Sequence, residues 1–278
     1  MGVDDAEEGE DLEELVTSDV ETSPNDVADP QSVIDAKIPI EIRQKYELLS
    51  HRNAAVILSE SRRVEFEELL EALRTFTISI EMIRRAGGNE SDIPKLLAAA
   101  LRPRNWYETI IRGDLLVRLT WRQQIGVNKK GKPTLATKFR ETRRQRYLDG
   151  HKIDFVKERV ALDMEWNSKD QTFDRDLYAF NAFFLSGVID VGVLVTRGES
   201  LNPVLRKLGQ ALTKGGEPEY KVVKGKRVPR MTHEKYGAST TWWGKLIYRL
   251  NAGRNGGCPV LAVGITPACI SDWPKKES

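Results

Sequence analysis

The stretch HKIDFVKERVALDMEWNSKD, residues 151–170, decides how the rest of the chain is read. Its second half alternates: Val160, Leu162, Met164 and Trp166 have one parity, and Ala161, Asp163, Glu165 and Asn167 the other. Period-two alternation marks a half-buried strand whose successive side chains leave opposite faces. Asp163 and Glu165 therefore leave the same face, one pleat apart. Upstream, Ile153-Asp154-Phe155-Val156 is a second short apolar run. A two-residue turn at Glu158-Arg159 makes the two runs a hairpin and sets Asp154 opposite Asp163. Like charges facing each other on a sheet are destabilising. Three carboxylates on one patch make sense around a cation, and a hard divalent ion with oxygen ligands is the obvious candidate.

The charge of the chain supplies a partner for such an ion. The formal net charge of +2 hides an asymmetry, because residues 1–36 carry 13 Asp or Glu and no Lys or Arg. Residues 37–278 then hold 43 basic against 28 acidic residues, which favours a polyanion, most often nucleic acid. The acidic segment is poor in aromatics and broken by Pro24 and Pro30, so it reads as a disordered tail ahead of one domain over 37–278. No uncharged apolar run approaches the roughly 18 residues of a membrane span. Cys258 and Cys269 form no metal-like cluster, and the three histidines are scattered. Zinc is therefore not expected, and a reducing, cytoplasmic compartment is.

Along the body, Pro39 opens a helix expected to run to about Leu49, and Ala54 to Leu58 is an apolar run too short for periodicity to assign. Phe66, Leu69, Leu70, Leu73, Phe76, Ile80 and Ile83 predict one amphipathic helix over about 65–86, closed by Gly87-Gly88. Ser91 or Asp92 caps a helix towards Leu101, and Val117 to Trp121 reads as a strand. Asn128 to Tyr147 is the most basic stretch, with Lys129, Lys130, Lys132, Lys138, Arg140, Arg143, Arg144 and Arg146 against Glu141 alone, and reads as a loop or arm gripping phosphates. After the carboxylate hairpin come a helix over 174–187, a buried strand over 188–196, and a short helix over 200–208. A basic excursion over 214–236, a helix to Leu250 and a strand over 259–265 complete the chain. Strands alternating with helices around one sheet predict an α/β architecture with an appended N-terminal helical region.

Phosphodiester hydrolysis needs a nucleophilic water, neutralisation of the transferring phosphate and help for the leaving oxygen, which one or two magnesium ions can supply. Asp154 and Asp163 are the natural direct ligands, and Glu165 either binds metal or accepts a proton from the attacking water.

Ile153-Asp154, eight residues, then Asp163-Met164-Glu165 resembles the active-site motif of the PD-(D/E)xK nuclease superfamily, with Glu165 where that motif usually has lysine. The type II restriction endonucleases of the BamHI and BglII group share that departure. The segments His51 to Leu58, Ala86 to Ser91, Asn105 to Glu108 and Phe173 to Arg197 also look like the BglII-type family, so the resemblance covers roughly residues 38–273. It implies a restriction-endonuclease-like core, a mixed central β-sheet flanked by helices. It also implies a magnesium-dependent homodimer that cuts both strands of double-stranded DNA at a short palindromic site, leaving 5′-phosphate and 3′-hydroxyl ends. A DNA methyltransferase is the expected companion of such an enzyme in its restriction-modification system. In this family a polar residue from the helix before the hairpin completes the site, and Glu108 best matches it. Asn167 and Lys169, just after the motif, together with Arg197, Lys226, Arg227 and Arg230, are the candidate DNA contacts. A repair or structure-specific endonuclease of the same fold, and a DNA-binding protein without catalysis, are the rival readings.

Overall fold

The computed structural model describes residues 28–85 and 91–274. Two short helices, α1 (Gln31–Lys37) and α2 (Ile40–Arg43), precede strand β1 (Tyr46–His51). Helix α3 (Ala54–Val56) runs into a π-helical turn over Ile57–Ser61, followed by α4 (Arg63–Thr75), α5 (Ile80–Arg84) and α6 (Asp92–Leu101). Two long strands, β2 (Tyr107–Val127) and β3 (Pro133–Lys157), lead to β4 (Val160–Glu165), α7 (Thr172–Leu185), β5 (Val191–Arg197) and α8 (Leu201–Lys207). A separate hairpin, β6 (Tyr220–Val223) and β7 (Lys226–Pro229), comes before α9 (Trp243–Asn251) and β8 (Val260–Ile265).

The sheet has the order β1-β8-β5-β4-β3-β2. Its middle strands β4, β5 and β8 are parallel and buried along their whole length, as Val- and Leu-rich strands covered on both faces must be. The outer strands β1 and β3 run antiparallel to their neighbours, so the sheet is mixed. Helix α7 makes the crossover between β4 and β5 and buries Phe173, Leu177, Phe180 and Phe183. Its approach to the sheet is close: a Cβ on Gly192 of β5 would meet the Phe180 ring at 2.4 Å. This is an α/β fold with a mixed central sheet flanked by helices, consistent with a restriction-endonuclease-like core.

The β3–β4 turn is the two-residue Glu158-Arg159 connection expected from the sequence, with Lys157 paired to Val160 and Phe155 to Leu162. Glu158 takes a positive φ of 46° there. The turn is clamped at its base, because Arg159 Nε and Arg62 Nε donate to the two carboxylate oxygens of Asp190 at 2.9 and 2.8 Å, and Asp190 N donates to Arg159 O at 2.8 Å. These bonds fix the hairpin register on which the carboxylate patch depends.

Several expectations change. The folded chain begins earlier than residue 37, since α1 buries Ile34 and Asp29 N donates to Ser50 O at 2.8 Å; the rest of the acidic segment, residues 1–27, lies outside the described residues. Tyr46 to Leu49 is strand, not helix, because it pairs with β8. Ala54 to Leu58 is helical. The helix expected over 65–86 breaks after Thr75: Phe76 is extended, Ile78 bridges to Ile270, and Ser79 Oγ caps α5 by accepting from Met82 N at 3.2 Å. The Gly87-Gly88 terminator lies outside the described residues.

The described residues group into two units, one within 28–109 and 153–274 and one of 110–152. The smaller unit consists of most of β2 and β3 and carries twelve Lys or Arg against three Asp or Glu. The basic stretch, expected as a loop or arm, is therefore mainly strand. Its tip is a tight turn in which Asn128 Oδ1 accepts from the backbone N–H of Lys130 and Lys132 at 2.9 and 3.0 Å, and Gly131 supplies a φ of +73°. Along β2, Val117, Leu119, Trp121, Ile125 and Val127 share one parity and all are exposed, while Arg118 and Arg122 have the other. Arg143 Nε reaches Asp114 at 3.1 Å, and Arg118 pairs with Glu141.

Candidate active site

Asp154 sits near the end of β3, half-buried, and Asp163 and Glu165 sit on β4, buried. The register carries Asp154 to the level of Asp163, and the contact is direct: Asp154 N donates to Asp163 Oδ1 at 2.7 Å. Asp163 Oδ2 is buried without a hydrogen-bond partner. Thr196 Oγ1 donates to Glu165 O at 2.8 Å and ties the end of β4 to β5. The sequence expectation of a half-buried strand is corrected here. Strand β4 lies between β3 and β5 with α7 packed nearby, so even its carboxylates are only 3% (Asp163) and 7% (Glu165) exposed.

That packing brings in two residues the sequence reading missed. Asp176, on the first turns of α7, is 1% exposed and belongs to the same cluster. Arg175 beside it donates from Nη2 to Asp176 Oδ1 at 2.8 Å and to Glu165 Oε1 at 3.2 Å, with Nε on Asp176 Oδ1 at 3.0 Å. Asp176 Oδ2, like Asp163 Oδ2, is buried without a hydrogen-bond partner. A signal existed: Asp176 falls on the Phe173, Leu177, Phe180 stripe, where a charged residue is out of place unless something receives it.

The electrostatics follow from four carboxylates in little water. Burial first, then the charges of Asp176 and Asp154, push the Asp163 carboxyl well above the ordinary range, although the Asp154 N–H pulls it down. Burial and the adjacent Glu165 raise Asp176 to about 8, against the pull of Arg175. Such a site favours a proton or another cation. Its donors are all carboxylate oxygens, two of them buried and unpartnered, which fits a hard divalent ion such as magnesium. Among the described residues, no three acidic, imidazole or thiol groups already close around one metal-sized point.

The other predicted residues are dispersed. Glu108 is exposed near the start of β2, two strands from β4, and stands on a strand where a helix was expected. Asn167 follows β4 and donates from Nδ2 to Lys235 O at 3.1 Å, while Lys169 is exposed. Lys226 and Arg227 lie exposed on β7, where Arg227 stacks 4.1 Å from the Tyr220 ring, and Arg230 reaches Glu219 at 2.9 Å.

Arg197 differs from these in being buried. It is 1% exposed; Nε donates to Trp166 O at 2.9 Å and Nη2 to Thr241 O at 2.7 Å and Thr240 Oγ1 at 2.7 Å, over the Tyr236 ring, while Nη1 is buried without a hydrogen-bond partner.

Among the described residues no helix is long and apolar enough to cross a membrane. The sequence model of a family described as restriction endonuclease BglII/BglIII matches residues 46–265, a span that contains every strand of the sheet and the whole carboxylate cluster. No curated protein matches the chain.

Proposed function

The chain belongs to the BglII/BglIII restriction endonuclease family and is a site-specific deoxyribonuclease, and from that premise we propose a magnesium-dependent type II enzyme that cleaves both strands of a short palindromic DNA site at Asp154, Asp163 and Glu165. The observation that carries the site assignment is the direct Asp154–Asp163 contact with an orphaned Asp163 oxygen beside it. Asp154, Asp163 and Glu165 would hold the ion, with Asp176 beside them. Bound magnesium would neutralise the phosphate and lower the cost of forming a hydroxide nucleophile. The chain's own contribution is placement. The clamped β3–β4 turn holds Asp154 against Asp163, the fixed end of β4 orients Glu165, and Glu165 is the group available to take a proton from the attacking water. In-line attack then leaves 5′-phosphate and 3′-hydroxyl ends. A homodimer, matching the two-fold symmetry of a palindrome, is the expected working form. The two cysteines are free and buried, which suits a reducing cytoplasm, and a cognate methyltransferase would protect the host DNA.

The test is digestion of several phage and plasmid DNAs with magnesium and with EDTA. Discrete, reproducible bands only with magnesium are expected. A smear, or cutting confined to branched DNA, would instead favour a repair or structure-specific nuclease, and binding without cutting a non-catalytic protein. Glu108→Gln, assayed in parallel, is expected to lower cleavage if Glu108 completes the site. Unchanged cleavage would remove it.

The arm is assigned to DNA phosphates on its charge. Replacing Lys138, Arg140 and Arg144 together by Gln is expected to flatten the dependence of log affinity on log salt by up to about 3, near 0.9 per lost phosphate contact. The slope is measured by fluorescence anisotropy on duplex DNA between low and moderate salt. An unchanged slope would place those three side chains away from the DNA.

A further inference from the structure

The cluster on β4 and α7 holds its own cation. Arg175 Nη2 spans Asp176 Oδ1 and Glu165 Oε1 at 2.8 and 3.2 Å, while the Arg175 side chain is 66% exposed. The carboxylates it touches are the opposite case, buried on β4 and α7. An exposed guanidinium on a flexible stem can swing into water at little cost, whereas the carboxylates cannot leave. Two further oxygens of the cluster, Asp163 Oδ2 and Asp176 Oδ2, are buried without hydrogen-bond partners. One guanidinium satisfies one edge of the cluster and leaves these two unmet. In this arrangement two of the four carboxylates are drawn towards Arg175, and no three ligands meet at one point.

We propose that Arg175 is the resting counter-ion of the active site, and that a divalent cation enters by displacing its guanidinium from Glu165 and Asp176, with Asp176 then serving the cation. This rests on the reading of the cluster as a metal site. Exchange explains why a buried acidic cluster is tolerated before metal arrives, and why the residue beside Asp176 is a long cation whose charged end lies outside. It also makes Arg175 a setting for metal affinity, since any ion must compete with it. A released guanidinium, still anchored to α7, remains at the mouth of the site, where the DNA phosphates approach.

The experiment measures Mn²⁺ binding to the full chain without DNA, by electron paramagnetic resonance of the free ion, for the native protein and for Arg175→Gln, Arg175→Lys and Asp176→Asn. Arg175→Gln is expected to bind Mn²⁺ at least about tenfold tighter, the low end of what one neighbouring charge does to a carboxylate's affinity for a cation. Arg175→Lys separates direct contact from general charge, because a lysine keeps the charge but lacks the planar fork that bridges two carboxylates. It is expected to resemble the Gln variant more than the native protein. Asp176→Asn is expected to weaken Mn²⁺ binding. Native affinity in Arg175→Gln, or in both Arg175→Lys and Asp176→Asn, would overturn the exchange while leaving the metal site standing. No Mn²⁺ binding by any of the four proteins at millimolar ion would remove the metal site and the exchange together. Circular dichroism of each metal-free variant confirms that the protein compared is folded.

Discussion

Replacing Asp163 by Asn is expected to lower DNA cleavage by at least roughly 10²–10³-fold, the usual loss when one electrostatic element of a transition-state site is removed, and at the same time to raise the melting temperature of the metal-free protein. The two effects have one cause. Asp163 is 3% exposed, lies against Asp154, and is surrounded by Asp176 and Glu165. Without a cation its ionised form is opposed by burial and by the neighbouring carboxylates. Asn has the same shape and can still accept from Asp154 N, while its amide removes the charge that Asp176 and Glu165 oppose. A carboxyl raised above its ordinary 3.8 in the folded protein contributes stability that is complete below 3.8 and is lost as pH rises through its native value. Asp176 adds a loss of the same sign as pH rises towards about 8. The metal-free native protein should therefore melt progressively lower between pH 5 and 9. The Asp163→Asn protein should fall less, so the gap between them widens with pH. Calorimetry over that range in EDTA, with cleavage assayed in magnesium at pH 7.5, measures both. Cleavage within about tenfold of native, or a gap that narrows with pH, would take Asp163 out of the role assigned to it.

That a stabilising substitution should destroy activity is the familiar trade of an active site, where charges are held in positions that folding alone would not choose. It also explains what could be read from the sequence. Asp154, Asp163 and Glu165 are joined by local rules, the two-residue side-chain period of β4 and the length of the Glu158-Arg159 turn, and local rules are written in adjacent residues. Asp176 and Arg175 join them only through the packing of α7 on the sheet, which depends on contacts such as Phe180 on Gly192 that no periodicity announces. The arm was half-legible for a similar reason. Val117 to Trp121 alternates cleanly and read as strand, but the Lys and Arg density of residues 129–146 masks the pairing of β3, whose partner lies across the turn at Asn128. The break after Thr75 is invisible because the helical spacing of apolar residues continues through it, whereas Ile78 bridges to Ile270 and Ser79 caps a new helix.

Arg197 shows the same limit from the other side, and its replacement should have the largest effect on stability. The sequence offers Arg197, at the end of VGVLVTR, as a DNA contact because arginine makes bidentate contacts to guanine edges. Instead the chain between α8 and α9 folds back over it. Burial pushes the guanidinium down to about 10, which leaves it charged at neutral pH, and it survives there because carbonyls and a hydroxyl receive it and the Tyr236 ring lies 4.8 Å below. The same Tyr236 hydroxyl accepts from Trp166 Nε1 at 3.3 Å and donates to Ile83 O at 2.9 Å, so Arg197 is one member of a buried network joining β4, β5, α5 and the segment before α9. Arg197→Met fills most of the volume but leaves Trp166 O, Thr241 O and Thr240 Oγ1 without their donor. Removing one partner of such a network costs about 3 kcal/mol, or a melting temperature lower by roughly 6–12 °C for a domain of this size. A true phosphate contact would behave differently. Its loss would leave melting nearly unchanged and flatten the salt dependence of DNA binding by about 0.9. Calorimetry and a salt titration of the Arg197→Met protein, measured below its melting transition, therefore decide between the two roles. A lower melting temperature with an unchanged salt slope is expected; the reverse pair would return Arg197 to the DNA surface.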